Sequence, residues 1–169
     1  SNIIKDLGLS SNFALATIHR QENTDNISTL SEIVESLNEI NKKVQLVVPL
    51  HPRTKKILES IAIKPEFTII PPVGYFDMVE LLKNCSLVIT DSGGLQKEAF
   101  FFKKPCVTIR NETEWTELVD GGYNLLAGTS KKSIINAFDN MIDKKLDYSI
   151  NLYGDGSASK KIAEQITRI

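Results

Sequence analysis

Short apolar runs alternate with helix-period stretches along the whole chain, and that alternation limits the fold more than any other feature. Phe13-Ala14-Leu15-Ala16-Thr17-Ile18 is the first run. Similar runs follow at 45–50, 67–70, 87–90, 105–109 and 124–127. After the first of them, Ile27, Leu30, Ile33, Val34, Leu37 and Ile40 recur at the spacing of one helix face, with Asn26 or Ser28 as the expected cap. Further helices are expected over 53–62, 76–84, 93–102, 113–119, 131–142 and 156–166. Strict strand–helix alternation requires right-handed crossovers, and these give a parallel sheet covered by helices on both faces. The expected class is therefore α/β, a Rossmann-like three-layer parallel sheet. Its binding loops should lie at the carboxyl ends of the strands.

The bulk properties exclude several kinds of function. With 169 residues and 41% hydrophobic content, the chain is long enough and apolar enough for one domain with a real core. A formal net charge of −1 argues against a protein that coats nucleic acid or an anionic membrane. No apolar run approaches the ~18 residues of a membrane span. Cys85 and Cys106 have no metal-ligand spacing and read as buried core thiols, which fits a reducing cytoplasm. Neither a zinc-type cluster nor an ATPase phosphate loop is present in the sequence, so no metal and no cofactor is expected. Ser92 lacks the glycine two positions before it that a hydrolase nucleophile elbow carries.

The chemistry concentrates where strands end. Asp91-Ser92-Gly93-Gly94-Leu95-Gln96-Lys97-Glu98 follows an apolar strand and opens a helix. Free amide N–H groups and partial positive charge at a helix N-terminus suit a phosphate, and two glycines allow close approach to the backbone. Ser92 adds a hydroxyl. Glu98, one turn into the helix, could accept hydrogen bonds from a sugar diol. Phosphate plus diol suggests a nucleotide. At the end of the first strand, His19 and Arg20 could neutralise a phosphate, with Glu22 holding either in place. His51 ends the second strand before Pro52. After the third strand, the loop 72–78 could read a base edge, with Met78 or Tyr75 packed on the ring. Arg110 follows the fifth strand; Thr113 or Asn111 is expected to cap the next helix, with Glu114 and Glu117 in its first turns. Capping accounts for that segment except Arg110, which is left to face a phosphate.

Taken in order, these motifs resemble one family. Thr17 with His19-Arg20 and Glu22-Asn23, His51-Pro52, Asp91-Ser92-Gly93-Gly94 with Gln96 and Glu98, Arg110 with Thr113-Glu114, and Tyr153-Gly154-Asp155-Gly156 are similar to the carboxy-terminal half of non-hydrolysing UDP-N-acetylglucosamine 2-epimerases. The resemblance covers nearly the whole chain. It implies that residues 1–169 are the UDP-binding domain of a two-domain, glycosyltransferase-B-type protein whose amino-terminal domain this chain lacks. It also implies that Ser92, Gly93 and Gly94 cradle the diphosphate and that Glu98 holds the ribose hydroxyls. Arg110 would help with the diphosphate, the loop of Met78 would meet the uracil, and His19 would assist catalysis. Arg20 and His51, with Glu22 beside them, match positions that touch a second, activating UDP-sugar in bacterial members.

The activity so implied is conversion of UDP-N-acetylglucosamine to UDP-N-acetylmannosamine by elimination and re-addition of UDP, in a cytoplasmic homodimer serving cell-surface polysaccharide synthesis. The lone chain is expected to bind UDP weakly and to be inactive, since the family's key carboxylates come from the other domain. Thr113-Glu114-Trp115-Thr116-Glu117 departs from the Thr-Glu-Arg-Pro-Glu of the simple epimerases and looks more like relatives acting on UDP-diacetamido-glucuronic acid. A glycosyltransferase-B donor domain is the other alternative.

Overall fold

The computed structural model describes residues 1–60 and 63–167. Six strands, β1 (Phe13–Thr17), β2 (Gln45–Pro49), β3 (Thr68–Ile70), β4 (Leu87–Thr90), β5 (Cys106–Thr108) and β6 (Asn124–Leu126), form one sheet in the order β3-β2-β1-β4-β5-β6. Every pairing is parallel. The expected three-layer α/β fold is what the chain adopts.

Alternate residues of the central strands serve two separate cores. Ala14, Ala16, Leu46, Val48, Leu87 and Ile89 belong to one apolar layer, and Phe13, Leu15, Val47 and Val88 to the other. A strand buried on both faces must be apolar at every position, which is why these runs do not alternate with polar residues. The first layer is closed by α3 (Ile27–Asn41) and α8 (Lys131–Met141), the second by α5 (Tyr75–Asn84) and α6 (Gly93–Phe101). Phe13 and Leu15 are wholly buried, and each such side chain contributes about 1.5–3 kcal/mol. A smaller aromatic cluster of Phe100, Tyr123, Trp115, Tyr148 and Tyr153 docks the segment after α8 against α6. The last helix, α9 (Ala158–Ile166), buries none of its residues.

Caps follow the sequence closely where a side chain can reach. Asn26 Oδ1 accepts from the Thr29 amide at 3.1 Å and starts α3. Two short helices, α1 (Ile3–Asp6) and α2 (Gln21–Thr24), escaped the periodicity because one turn has no period to read. The helix expected over 53–62 is present as α4 (Pro52–Ser60); Ile61 and Ala62 lie outside the described residues. The helix expected from Thr113 is shorter, α7 (Thr116–Asp120), and the closing helix starts at Ala158 rather than 156.

Strand order positions the candidate site. From β1 the chain moves outward to β2 and β3, then returns to add β4 on the other side of β1. That reversal opens a crevice at the carboxyl ends of β1 and β4, where open α/β sheets take ligands. Thr17 is in register with Thr90, and their hydroxyls bond at 2.6 Å. Residues 18–20 and 91–93 therefore leave the sheet side by side.

Candidate functional site

Asp91 is the hub of this crevice. It is wholly buried, yet its carboxylate has many donors. The His19 and Arg20 amides approach it at 3.1 and 3.0 Å, and Asn23 Nδ2 donates at 3.0 Å. His19 Nδ1 lies 2.9 Å from Asp91 Oδ1. Burial opposes ionisation of Asp91, but the bonds from His19, Arg20 and Asn23 outweigh it and hold the carboxyl below its usual range. The same bond raises the His19 pKa above 6.5 against the opposing effect of burial. Because a carboxylate only accepts, the proton sits on Nδ1 and Nε2 is left for a ligand.

Arg20 is tied to the same hub, since its Nε donates to the Asp91 carbonyl at 2.9 Å. Its guanidinium also lies 3.6 Å from Glu22, so Glu22 holds the arginine as expected. Asn23 spans from Asp91 to the Ile109 carbonyl at 3.2 Å and so links the β1, β4 and β5 loops.

The serine-glycine turn sits directly after the hub. Ser92 is the N-cap of α6, with Oγ accepting from the Leu95 amide at 3.4 Å. Its own amide donates to Thr90 Oγ1 at 2.9 Å. The amides of Gly93 and Gly94 have no protein acceptor among the described residues, the condition of donors at a helix start. Glu98 is half-buried, and burial raises its pKa.

The structure corrects the reading of the segment after β5. Trp115, not Thr113 or Asn111, occupies the N-cap position of α7 and makes no side-chain capping bond. Thr113 Oγ1 donates instead to Gln96 Oε1 at 2.7 Å. Glu114 lies before the helix rather than in its first turn and accepts from Arg110 NH1 at 2.7 Å. That bond, first among its causes, lowers the Glu114 pKa. Arg110 is thus nearly buried and already partnered, not left over to face a phosphate alone. A pocket of ≈430 Å³ opens between it and Arg20, with Asn23, Thr29, Asn111 and Thr129 on its walls.

Two expected residues stand apart from this network. His51 is exposed, and its Nδ1 accepts from the Arg53 amide at 3.3 Å at the start of α4. Met78 packs, partly buried, against the second core layer, while its neighbours Tyr75 and Phe76 are 68% and 81% exposed. Sequence reasoning passed over Asp91, Asn23 and Gln96 as partners. Their signal was a polar residue adjoining an apolar strand or in a helix, where only a hydrogen-bonded one persists.

The sequence profile of the UDP-N-acetylglucosamine 2-epimerase family matches residues 1–167. The chain belongs to that family. Among its relatives is a UDP-2,3-diacetamido-2,3-dideoxy-D-glucuronate 2-epimerase of Pseudomonas aeruginosa, 49% identical over 96% of this chain and 47% of the relative. A UDP-N-acetylglucosamine 2-epimerase of Methanococcus maripaludis is 42% identical over 89% of this chain and 43% of its own length. The crystal structure of the Methanocaldococcus jannaschii UDP-GlcNAc 2-epimerase in complex with UDP-GlcNAc and UDP superposes with a TM-score of 0.85 at 35% identity. It covers 100% of this chain and 49% of that one. The chain therefore spans about half the length of the epimerases it matches. Among the described residues no group of three or more His, Cys, Asp or Glu could hold a metal, and no helix is long and apolar enough to cross a membrane.

Proposed function

We propose that this chain is the UDP-binding, carboxy-terminal half of a UDP-N-acetylglucosamine 2-epimerase. One observation carries the reading. Two glycine amides with no protein acceptor among the described residues start a helix beside His19 and Arg20, in the crevice where the strand order reverses. That combination suits a diphosphate leaving group. Gly93 and Gly94 donate to its oxygens, Arg110 supplies positive charge, and Glu98 accepts from the ribose hydroxyls. His19 Nε2 donates to the phosphates when the ring is protonated.

The reaction so served breaks the C2–H bond of the sugar and uses its electron pair to form a C1=C2 double bond. The C1–O bond breaks in the same elimination, and UDP departs with the electron pair of that C1–O bond. Reprotonation of C2 on the opposite face and return of UDP to C1 complete the inversion. Stabilising the departing diphosphate is the part this half performs. The groups that move the C2 proton belong to the other half. In the full-length protein, a cytoplasmic homodimer in cell-surface polysaccharide synthesis, Arg20, Glu22 and His51 face a second UDP-sugar, and the loop of Met78 meets the uracil.

A second reading concerns only the sugar. The Pseudomonas aeruginosa relative at 49% identity favours UDP-2,3-diacetamido-2,3-dideoxy-D-glucuronate as substrate. The test has two parts. Calorimetric titration of the chain with UDP should give weak binding, and no heat at millimolar UDP refutes the nucleotide site. The full-length protein should epimerise one of the two UDP-sugars while the lone chain turns over neither. Turnover by the lone chain removes the division of labour.

A further inference from the structure

Trp115 is the chain's single tryptophan. Its indole Nε1–H donates to the Gly93 carbonyl at 2.8 Å. Its amide donates to Thr113 Oγ1 at 3.2 Å, and Thr113 in turn donates to Gln96. Residues 113–115 therefore grip the first turn of α6 at two points. Glu114, held by Arg110, occupies the space over Gly93 so closely that a Cβ there would lie 1.9 Å from Glu114 Oε1. The indole itself is held from another side. The Lys97 ammonium lies 4.4 Å from its ring centroid and 4.3 Å from that of Tyr153, a cation shared by two aromatic faces.

Such a clamp answers a specific weakness of the turn. Consecutive glycines have the largest backbone freedom of any residue pair, and the first amides of a helix have no intrahelical bonds to restrain them. Donors that must first be ordered bind an anion less tightly than donors already fixed. The Gly93 carbonyl and the Gly94 N–H belong to one planar trans peptide and point in opposite directions. A bond that fixes the carbonyl also fixes the aim of that N–H out of the helix start. We propose that Trp115 is a positioning residue that presets the Gly93-Gly94 turn for the diphosphate. The proposal rests on the UDP-binding reading above.

Uridine, which lacks the diphosphate, separates this role from general damage. Titrating the wild type and Trp115→Phe with UDP and with uridine should show UDP binding weakened about fivefold, the worth of one neutral hydrogen bond. Uridine binding should stay unchanged. Equal loss for both ligands, or no loss for UDP, overturns the positioning role while leaving the UDP site intact. A wild type that binds neither ligand removes the site and the role together. Should the variant not fold, the wild type still decides. Its lone indole N–H resonance should move on saturation with UDP and not with uridine, and a resonance unmoved by UDP overturns the proposal.

Discussion

The two sides of the sheet's carboxyl edge are built on opposite principles. Where β1, β4 and β5 end, a buried carboxylate gathers backbone amides, a histidine and an asparagine into one network. Where β2 and β3 end, the same edge carries an exposed His51, Tyr75 and Phe76, whose two rings meet edge-on at 6.1 Å. The first side is fixed by hydrogen bonds within the chain itself, the kind of arrangement in which dipoles can hold an anion at little reorganisation cost. The second side presents open apolar surface, which suits a flat ring and needs no such preparation. The same edge thus separates a prearranged polar network from open apolar surface.

Removing the hub should break this contrast most sharply. Asp91→Ala leaves Asn23 and the His19 and Arg20 amides without their acceptor, and the expected cost is about 3 kcal/mol or more. His51→Ala removes one exposed capping bond and should cost about 0.5 kcal/mol. Urea unfolding monitored by the tryptophan measures both. Comparable losses would mean that the two sides do not differ in how much structure they hold.

Glycines sharpen the comparison at smaller energies. Gly93→Ala must push Glu114 from Arg110, since the new methyl would meet its carboxylate, and should cost about 1–2 kcal/mol through the lost charge-assisted bond. Gly74, at φ −69°, opens α5 on the other side and has nothing within 4 Å of an added Cβ. Gly74→Ala should therefore stay within about 0.5 kcal/mol of the wild type, the lower entropy of the unfolded chain offsetting a poorer cap. The same unfolding curves decide, and a Gly93→Ala variant as stable as Gly74→Ala would show that Glu114 does not close the turn.

The apolar runs and helical spacings were legible because burial on two faces writes itself into composition, and each expected strand is present within a residue or two. Serine and glycine at 92–94 were legible as a helix start after a strand, and Ser92 is the N-cap of α6. The supports of that turn were not. Asp91 reads as a surface carboxylate until β1 is laid beside β4, and Gln96 reads as one more polar residue of a helix. Arg110 seemed unpaired because its partner, Glu114, reads equally well as a helix-dipole residue. Such pairings depend on strand order, and periodicity carries no information about order.

The smallest effect probes the hub through its histidine. The bond to Asp91 raises the His19 pKa above 6.5, so the folded state holds that proton to higher pH than the unfolded chain does. Its contribution to stability is therefore complete below about 6.5 and is lost as pH rises through the raised folded value. Asp91 works in the other direction: its folded pKa is lowered, so its contribution is present above the usual carboxylate range and is lost as pH falls. The ion pair is intact only between these limits, and UDP affinity should decline as His19 deprotonates. Imidazole proton shifts followed against pH give the midpoint directly. It should lie above 6.5 in the wild type and fall in Asp91→Asn, which keeps the shape of the side chain and removes its charge. An unchanged midpoint in that variant would mean that Asp91 orients the ring without holding its proton, and the pH dependence of UDP binding would then have to come from the nucleotide itself.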